Sequence, residues 1–286
     1  MFWNQIKTVL LLGGLSGIFF LFGYWIGGSH GLVLAFVMSI MMNFFAYFFS
    51  DKMVLAMYGA QPLDQEKHAD IYEMVQELSF SAGIPMPKIW YIPSAMANAF
   101  ATGRNPEHAS VAVTQGILDI LEPHELRGVL AHELAHVKNR DILIATVAAT
   151  VATAIGYLAH MLQWSVIFGF GRRDERENGG GWGALVVAII MPIAATLIQL
   201  AISRSREYLA DESGAHFCHD PLALASALEK LSDSARAQHV EPSSPTQATT
   251  ASLFIVYPFS GSGLINLFST HPPMEKRIER LRAMSR

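Results

Sequence analysis

Four apolar stretches constrain this 286-residue chain more than anything else in it: Val9–Gly27, Gly31–Phe49, Ile142–Leu162 and Ala184–Ile202. Each approaches the ~20 residues an α-helix needs to cross a bilayer. Inside lipid, only helices and closed barrels satisfy their own backbone groups. A soluble core helix is the alternative for any one stretch, but four such stretches in one chain argue against it. Composition agrees: 51% of residues are hydrophobic and 15% are charged, against roughly 25% charged in an average soluble chain. The first stretch, preceded by Lys7, resembles a secretory signal. A second stretch follows after only Gly28-Ser29-His30, which predicts a membrane hairpin instead. Pro192 predicts a kink in the fourth stretch, and Trp25 and Trp164 fall where indole rings favour the interface.

Orientation follows from lysine and arginine, which gather on the cytoplasmic side. Lys7, Lys52, Lys138, Arg140, Arg204 and Arg206 flank one side of the predicted spans. On the other, Arg172, Arg173 and Arg176 are diluted by Asp174, Glu175 and Glu177. The soluble segments are therefore expected in the cytoplasm. A formal charge of −4 without a basic run gives no reason to expect nucleic acid, and no nucleotide-binding motif is visible. The single cysteine, Cys218, excludes an intramolecular disulfide and a cysteine-built metal site.

The chemistry is concentrated in His132-Glu133-Leu134-Ala135-His136. Histidines four apart share one face of a helix, so both imidazoles can reach one zinc ion at roughly 2.0–2.1 Å. Glu133 can then serve as general base toward a water at the metal. Leu126, Val129, Leu130, Leu134 and Val137 recur at helical spacing, which makes the segment a packed amphipathic helix. Pro123 and the acids Glu122 and Glu125 suit its first turn.

Four parts follow: an N-terminal transmembrane hairpin (1–50), a cytoplasmic part with the HExxH helix (51–141), a second hairpin (142–203) and a second cytoplasmic part (204–286). In the first cytoplasmic part, a helix is predicted over Leu63–Phe80, ending at Gly83-Ile84-Pro85. Strands are predicted over Lys88–Ile92, Ala99–Thr102 and Ser110–Thr114. The second should hold helices over Arg206–His216, Pro221–Ser232 and Met274–Met284. A polar stretch, Ser234–Ser252, reads as a loop or lid.

A catalytic zinc needs a third protein ligand and an open position. If the HExxH helix runs through Asp141 straight into the third span, the second hairpin returns the chain to the same membrane face. Glu207 then arrives beside His132 and His136. Asp211, one helical turn later, can accept a hydrogen bond from the far nitrogen of a ligand histidine. The competing view makes Glu207 and Asp211 surface acids paired with Arg204 and Arg206.

Taken together, the motifs resemble those of HtpX-type membrane zinc metalloproteases, relatives of the prenyl-protein (CAAX) zinc endopeptidases. The matching pieces are His132–His136, Asn139-Arg140-Asp141, Ser203-Arg204-x-x-Glu207-x-x-x-Asp211, Ser269-Thr270-His271-Pro272-Pro273 and Asn98–Gly103. The resemblance implies four transmembrane helices in two hairpins and a zincin-like α+β catalytic domain with a small β-sheet. It implies one zinc ion per chain, held by His132, His136 and Glu207, with Glu133 as base and Asp211 and Asp141 supporting the ligands. It also implies a multi-pass protein of the bacterial inner membrane whose site faces the cytoplasm. There it would cleave misfolded or surplus membrane proteins without ATP, under heat or envelope stress.

His271 is the candidate to stabilise the oxyanion, with a helix-capping role as the alternative; Tyr208 and Arg204 are poorer candidates. Asn98, Ala99, Phe100 and Ala101 read either as an edge strand pairing with an extended substrate or as an internal strand. The rival functions are a CAAX-type or intramembrane metalloprotease and a non-proteolytic zinc-binding membrane stress factor. Charged residues on both flanks of HExxH place it at the membrane boundary, and the spans lack the acids a transporter needs.

Overall fold

A computed structural model describes residues 2–148, 150–151, 204–238, 253–256 and 272–285. Helix α1, Phe2–Phe48, is two helices joined at Gly28, where φ is 54° and ψ −134°, backbone angles that suit glycine. The chain doubles back there. The Asn43 amide donates to the Ser16 hydroxyl at 2.8 Å, and the Phe20 and Phe36 rings stack 6.4 Å apart. Along a straight helix, Ser16 and Asn43 would stand about 40 Å apart. Gly28–Phe48 is long and apolar enough to cross a membrane, and Ile6–Leu21 is a shorter apolar helix. Val9, Leu21, Val33 and Leu34 are each more than 60% exposed, an apolar surface of the kind lipid covers. Most of the third predicted span and all of the fourth lie outside the described residues.

A short helix α2, Ser50–Met57, leads to strand β1, Gln61–Pro62, and helix α3, Ala69–Ala82. Strands β2 (Lys88–Ile92), β3 (Ala99–Gly103) and β4 (Ala109–Thr114) complete a sheet of order β1-β2-β4-β3. Only β2 and β4 run parallel. Alternating residues divide between its faces. Ile89, Ala99, Ala101, Val111 and Val113 join the main core, while Ile92, Phe100 and Ala112 pack with Val54 and Leu55 of α2. Helix α3 starts six residues later than its periodicity predicts. Leu63 is apolar because its backbone N–H pairs with the Ile89 carbonyl and its side chain is buried beside the sheet.

After α4, Gln115–Ile120, comes the central helix α5, Pro123–Lys138. Around it lie α3, α6 (Arg204–Cys218) and α7 (Pro221–Gln238), and α8 (Met274–Met284) packs on α6 and α7. Helix α7 runs six residues beyond its predicted end; residues 239–252 of the predicted loop lie outside the described residues. Glycines set the spacing around α5. A Cβ on Gly214 of α6 would sit 2.8 Å from the His132 backbone nitrogen, and one on Gly128 would sit 2.7 Å from that of Leu224.

The expectation that α5 continues into the third span needs correction. The helix ends at Lys138, Arg140 adopts φ 57°, and a new helical segment begins at 142. The left-handed residue is a helix-ending device, and it returns the Asp141 N–H to the His136 carbonyl at 3.0 Å.

Glu125 fastens the start of α5. Its carboxylate accepts the Glu122 N–H at 2.8 Å, the Ser226 hydroxyl at 2.6 Å and Lys230 Nζ at 2.7 Å. Burial alone would raise its pKa, but these three donors bring it below the ordinary value. A lowered carboxylate pKa stabilises the fold above the unfolded value, about 4.3, and that contribution is lost as pH falls through the folded one. Glu125→Gln should therefore cost about 1–3 kcal/mol at pH 7. The deficit should shrink below pH 4, as denaturation at both pH values would show.

Candidate active site

The middle of α5 presents His132 and His136 on one face, opposite Glu207 of α6. His136 Nε2 lies 3.2 Å from His132 Nε2 and 3.6 Å from Glu207 Oε1, and His132 Nε2 lies 3.9 Å from Glu207 Oε2. Donors at tetrahedral zinc distances stand about 3.3 Å from one another, so the three groups fit one such ion with small adjustment. Each ring turns its other nitrogen to a carboxylate. His132 Nδ1 is 2.9 Å from Asp211 Oδ1, off the line a hydrogen bond prefers, and His136 Nδ1 is 3.5 Å from Asp141 Oδ2. Such carboxylates favour the tautomer that leaves Nε2 for a metal.

The charges fit a cation as well. Four carboxylates (Glu133, Glu207, Asp211 and Asp141) share this buried region with two guanidinium groups, Arg206 and Arg277. With both imidazoles neutral, as metal ligation requires, a divalent ion would offset the negative excess. Burial, reinforced by Glu207, raises Glu133 to about 7 against the opposing pull of His136 and the Ala101 N–H. Burial lowers His132, with Asp211 opposing. For His136 burial also lowers, but Asp141, Glu207 and Glu133 prevail and raise it to about 9.

Arg277 is the residue that sequence reasoning missed. It is fully buried, with Nε and Nη2 donating to Asp211 at 2.9 and 2.6 Å and Nη1 donating to the Ile255 carbonyl at 3.2 Å. Nη1 is also 3.7 Å from Glu207 Oε2. Burial opposes the Asp211 carboxylate form, yet Arg277 and His132 outweigh it and hold this carboxyl well below the usual range. The signal was there: Arg277 interrupts the apolar stripe Met274, Ile278, Leu281 of α8, a core position for a charge.

Strand β3 lies at the sheet edge beside α5, yet all five of its residues are buried. The Ala101 N–H donates to Glu133 Oε2 at 2.8 Å. Asn98 Oδ1 accepts the Ile255 N–H at 3.3 Å, so one chain of contacts links the strand through Ile255 and Arg277 to Asp211. The Thr102 and Thr146 hydroxyls, 3.0 Å apart, tie the strand to the helix after the site. Tyr208 lies under the Arg280 guanidinium, 4.2 Å from its ring centre, and Arg204 is the exposed first residue of α6. His271 lies outside the described residues.

An HExxH helix, an acid from a second helix and a flanking strand define a metallopeptidase. The chain belongs to peptidase family M48, whose profile matches residues 65–285. It is 56% identical to a protease HtpX homolog of Syntrophobacter fumaroxidans over 283 residues, covering 98% of this chain and 99% of that protein. Protease HtpX homologs of Persephonella marina and Pyrococcus furiosus are 55% and 51% identical, with 99% and 98% of this chain covered and 98% and 96% of theirs. The crystal structure of S. mikatae Ste24p superposes with a TM-score of 0.52 at 18% identity, over 97% of this chain and 65% of that one, a likeness of fold. The resemblance drawn from the motifs thus stands, and the chain is a metalloprotease.

Proposed function

We propose that this chain is an integral-membrane zinc endopeptidase that hydrolyses peptide bonds of misfolded or surplus membrane proteins from the cytoplasmic side of a bacterial inner membrane. The observation that carries the reading is the convergence of His132, His136 and Glu207 at mutual distances suited to one ion, with Glu133 alongside. We assign two transmembrane hairpins, 1–50 and 142–203, and catalytic parts at 51–141 and 204–286.

His132, His136 and Glu207 would hold one zinc ion, which when bound supplies the Lewis acidity that polarises the scissile carbonyl and acidifies water. Asp211 and Asp141 keep the two rings oriented. The Ala101 N–H fixes one oxygen of Glu133, leaving the other to take the proton of the attacking water and pass it to the leaving amine. Residues Asn98 to Ala101 would guide an extended peptide along the edge of the sheet, where main-chain hydrogen bonds tolerate varied sequences. His271 would donate to the oxyanion.

Glu133→Gln tests the assignment. Cleavage of an unfolded model protein should fall about 10²–10⁴-fold while the purified chain keeps its zinc. Equal cleavage by the variant would place the chemistry elsewhere. Zinc without cleavage in either form would favour a non-proteolytic zinc protein.

A further inference from the structure

A cavity of about 440 Å³ lies where the Gly28–Phe48 helix ends, lined by Phe44, Phe48 and Phe49 together with Lys52, Lys88 and Arg104. The cations come from three places in the fold: Lys52 from α2, Lys88 from the start of β2 and Arg104 from just after β3. Asp51 and Glu107 line the same space. Even so, none of the three cations forms an ion pair among the described residues. Lys52 Nζ lies 5.3 Å from the Phe49 ring centre and the Arg104 guanidinium 5.5 Å from that of Phe48. A topological bias toward lysine at a span end does not gather charges from three distant segments around one hollow. The space is large enough for a small ligand, and it sits at headgroup depth if the helix crosses a bilayer.

We propose that this cavity seats the headgroup of an anionic phospholipid. Lys52, Lys88 and Arg104 surround its phosphate, and its acyl chain runs along Phe44 and Phe48, which are 51% and 42% exposed. Three cations against two acids favour a lipid without an ammonium group, whose positive charge the lysines would repel. The inference rests on reading Gly28–Phe48 as a membrane span.

Native mass spectrometry of the delipidated full chain in detergent, titrated with short-chain phosphatidylglycerol, tests it. One tightly held lipid per chain is expected, with phosphatidylcholine held more weakly. Lys52→Gln, Lys88→Gln and Arg104→Gln should each weaken binding roughly fivefold, and the triple variant roughly a hundredfold. Lys88→Arg should bind like the unaltered chain. Equal retention of both lipids, or an unaffected triple variant, overturns the site. Displacement by an equal concentration of inorganic phosphate shows a free anion as occupant and overturns the lipid. An alkaline wash of membranes separates the two readings: a chain released by it overturns span and site together, whereas one that stays yet ignores phosphatidylglycerol overturns the site alone.

Discussion

Replacing Arg277 with methionine should destabilise the protein by about 3–5 kcal/mol, the usual consequence of leaving a buried charge without its partner. Asp211 would lose both guanidinium donors and keep only His132 beside it, and the Ile255 carbonyl would lose its own donor. Arg277→Lys should recover only part of the loss, because an ammonium cannot reproduce the two-pronged contact with a carboxylate. Adding Asp211→Leu to Arg277→Met should restore part of the stability lost in Arg277→Met alone, since the carboxylate that Arg277 holds most closely is then gone. Thermal unfolding of the metal-free chain in detergent, for these three variants and Asp211→Leu alone, provides the check. Additive losses would mean that Arg277 and Asp211 are not energetically coupled.

Glu207→Gln should cost zinc affinity more than any substitution outside the three proposed ligands. Glutamine keeps the shape but gives up the charge, and with it part of the negative excess that attracts a divalent ion. Loss of a partner that only orients a ligand typically weakens binding about 10–100-fold. Asp211→Asn should fall in that range and Glu207→Gln beyond it. Zinc measured against a competing chelator orders the two. If Asp211→Asn lost more metal than Glu207→Gln, the ligand assignment would have to change. Cleavage should fall in parallel with zinc content in Glu207→Gln, unlike Glu133→Gln, which keeps its metal.

The two histidines were legible because the spacing that lets side chains share a metal is the spacing of a helical turn. Caps were legible for a similar reason: Glu122, Pro123 and Glu125 satisfy local backbone rules, and α5 starts where they predict. Strand β2 and helix α8 keep their predicted limits. The break after α5 is marked only weakly: Lys138 in the last turn and Asn139 after it suit a helix end, but glycine and proline are absent and an arginine takes the left-handed position. Leu63 misled because an apolar residue buried beside a sheet counts toward helical periodicity all the same. Glu207 could be reached only by supposing how the chain returns through the membrane. Arg277 could not be reached by motif at all; its importance comes from contacts with α6 and with Ile255, far away along the chain.

The separation of His136 from Glu207 along the chain also bears on how such an enzyme is made. Synthesis delivers the amino-terminal half first, so a growing chain displays its two histidines before the third donor exists. If Glu207 is the third ligand, a peptidase assembled in that order stays incomplete until α6 has folded back against α5. With the proposed donors split between α5 and α6, completion of the fold becomes the first safeguard on the chemistry.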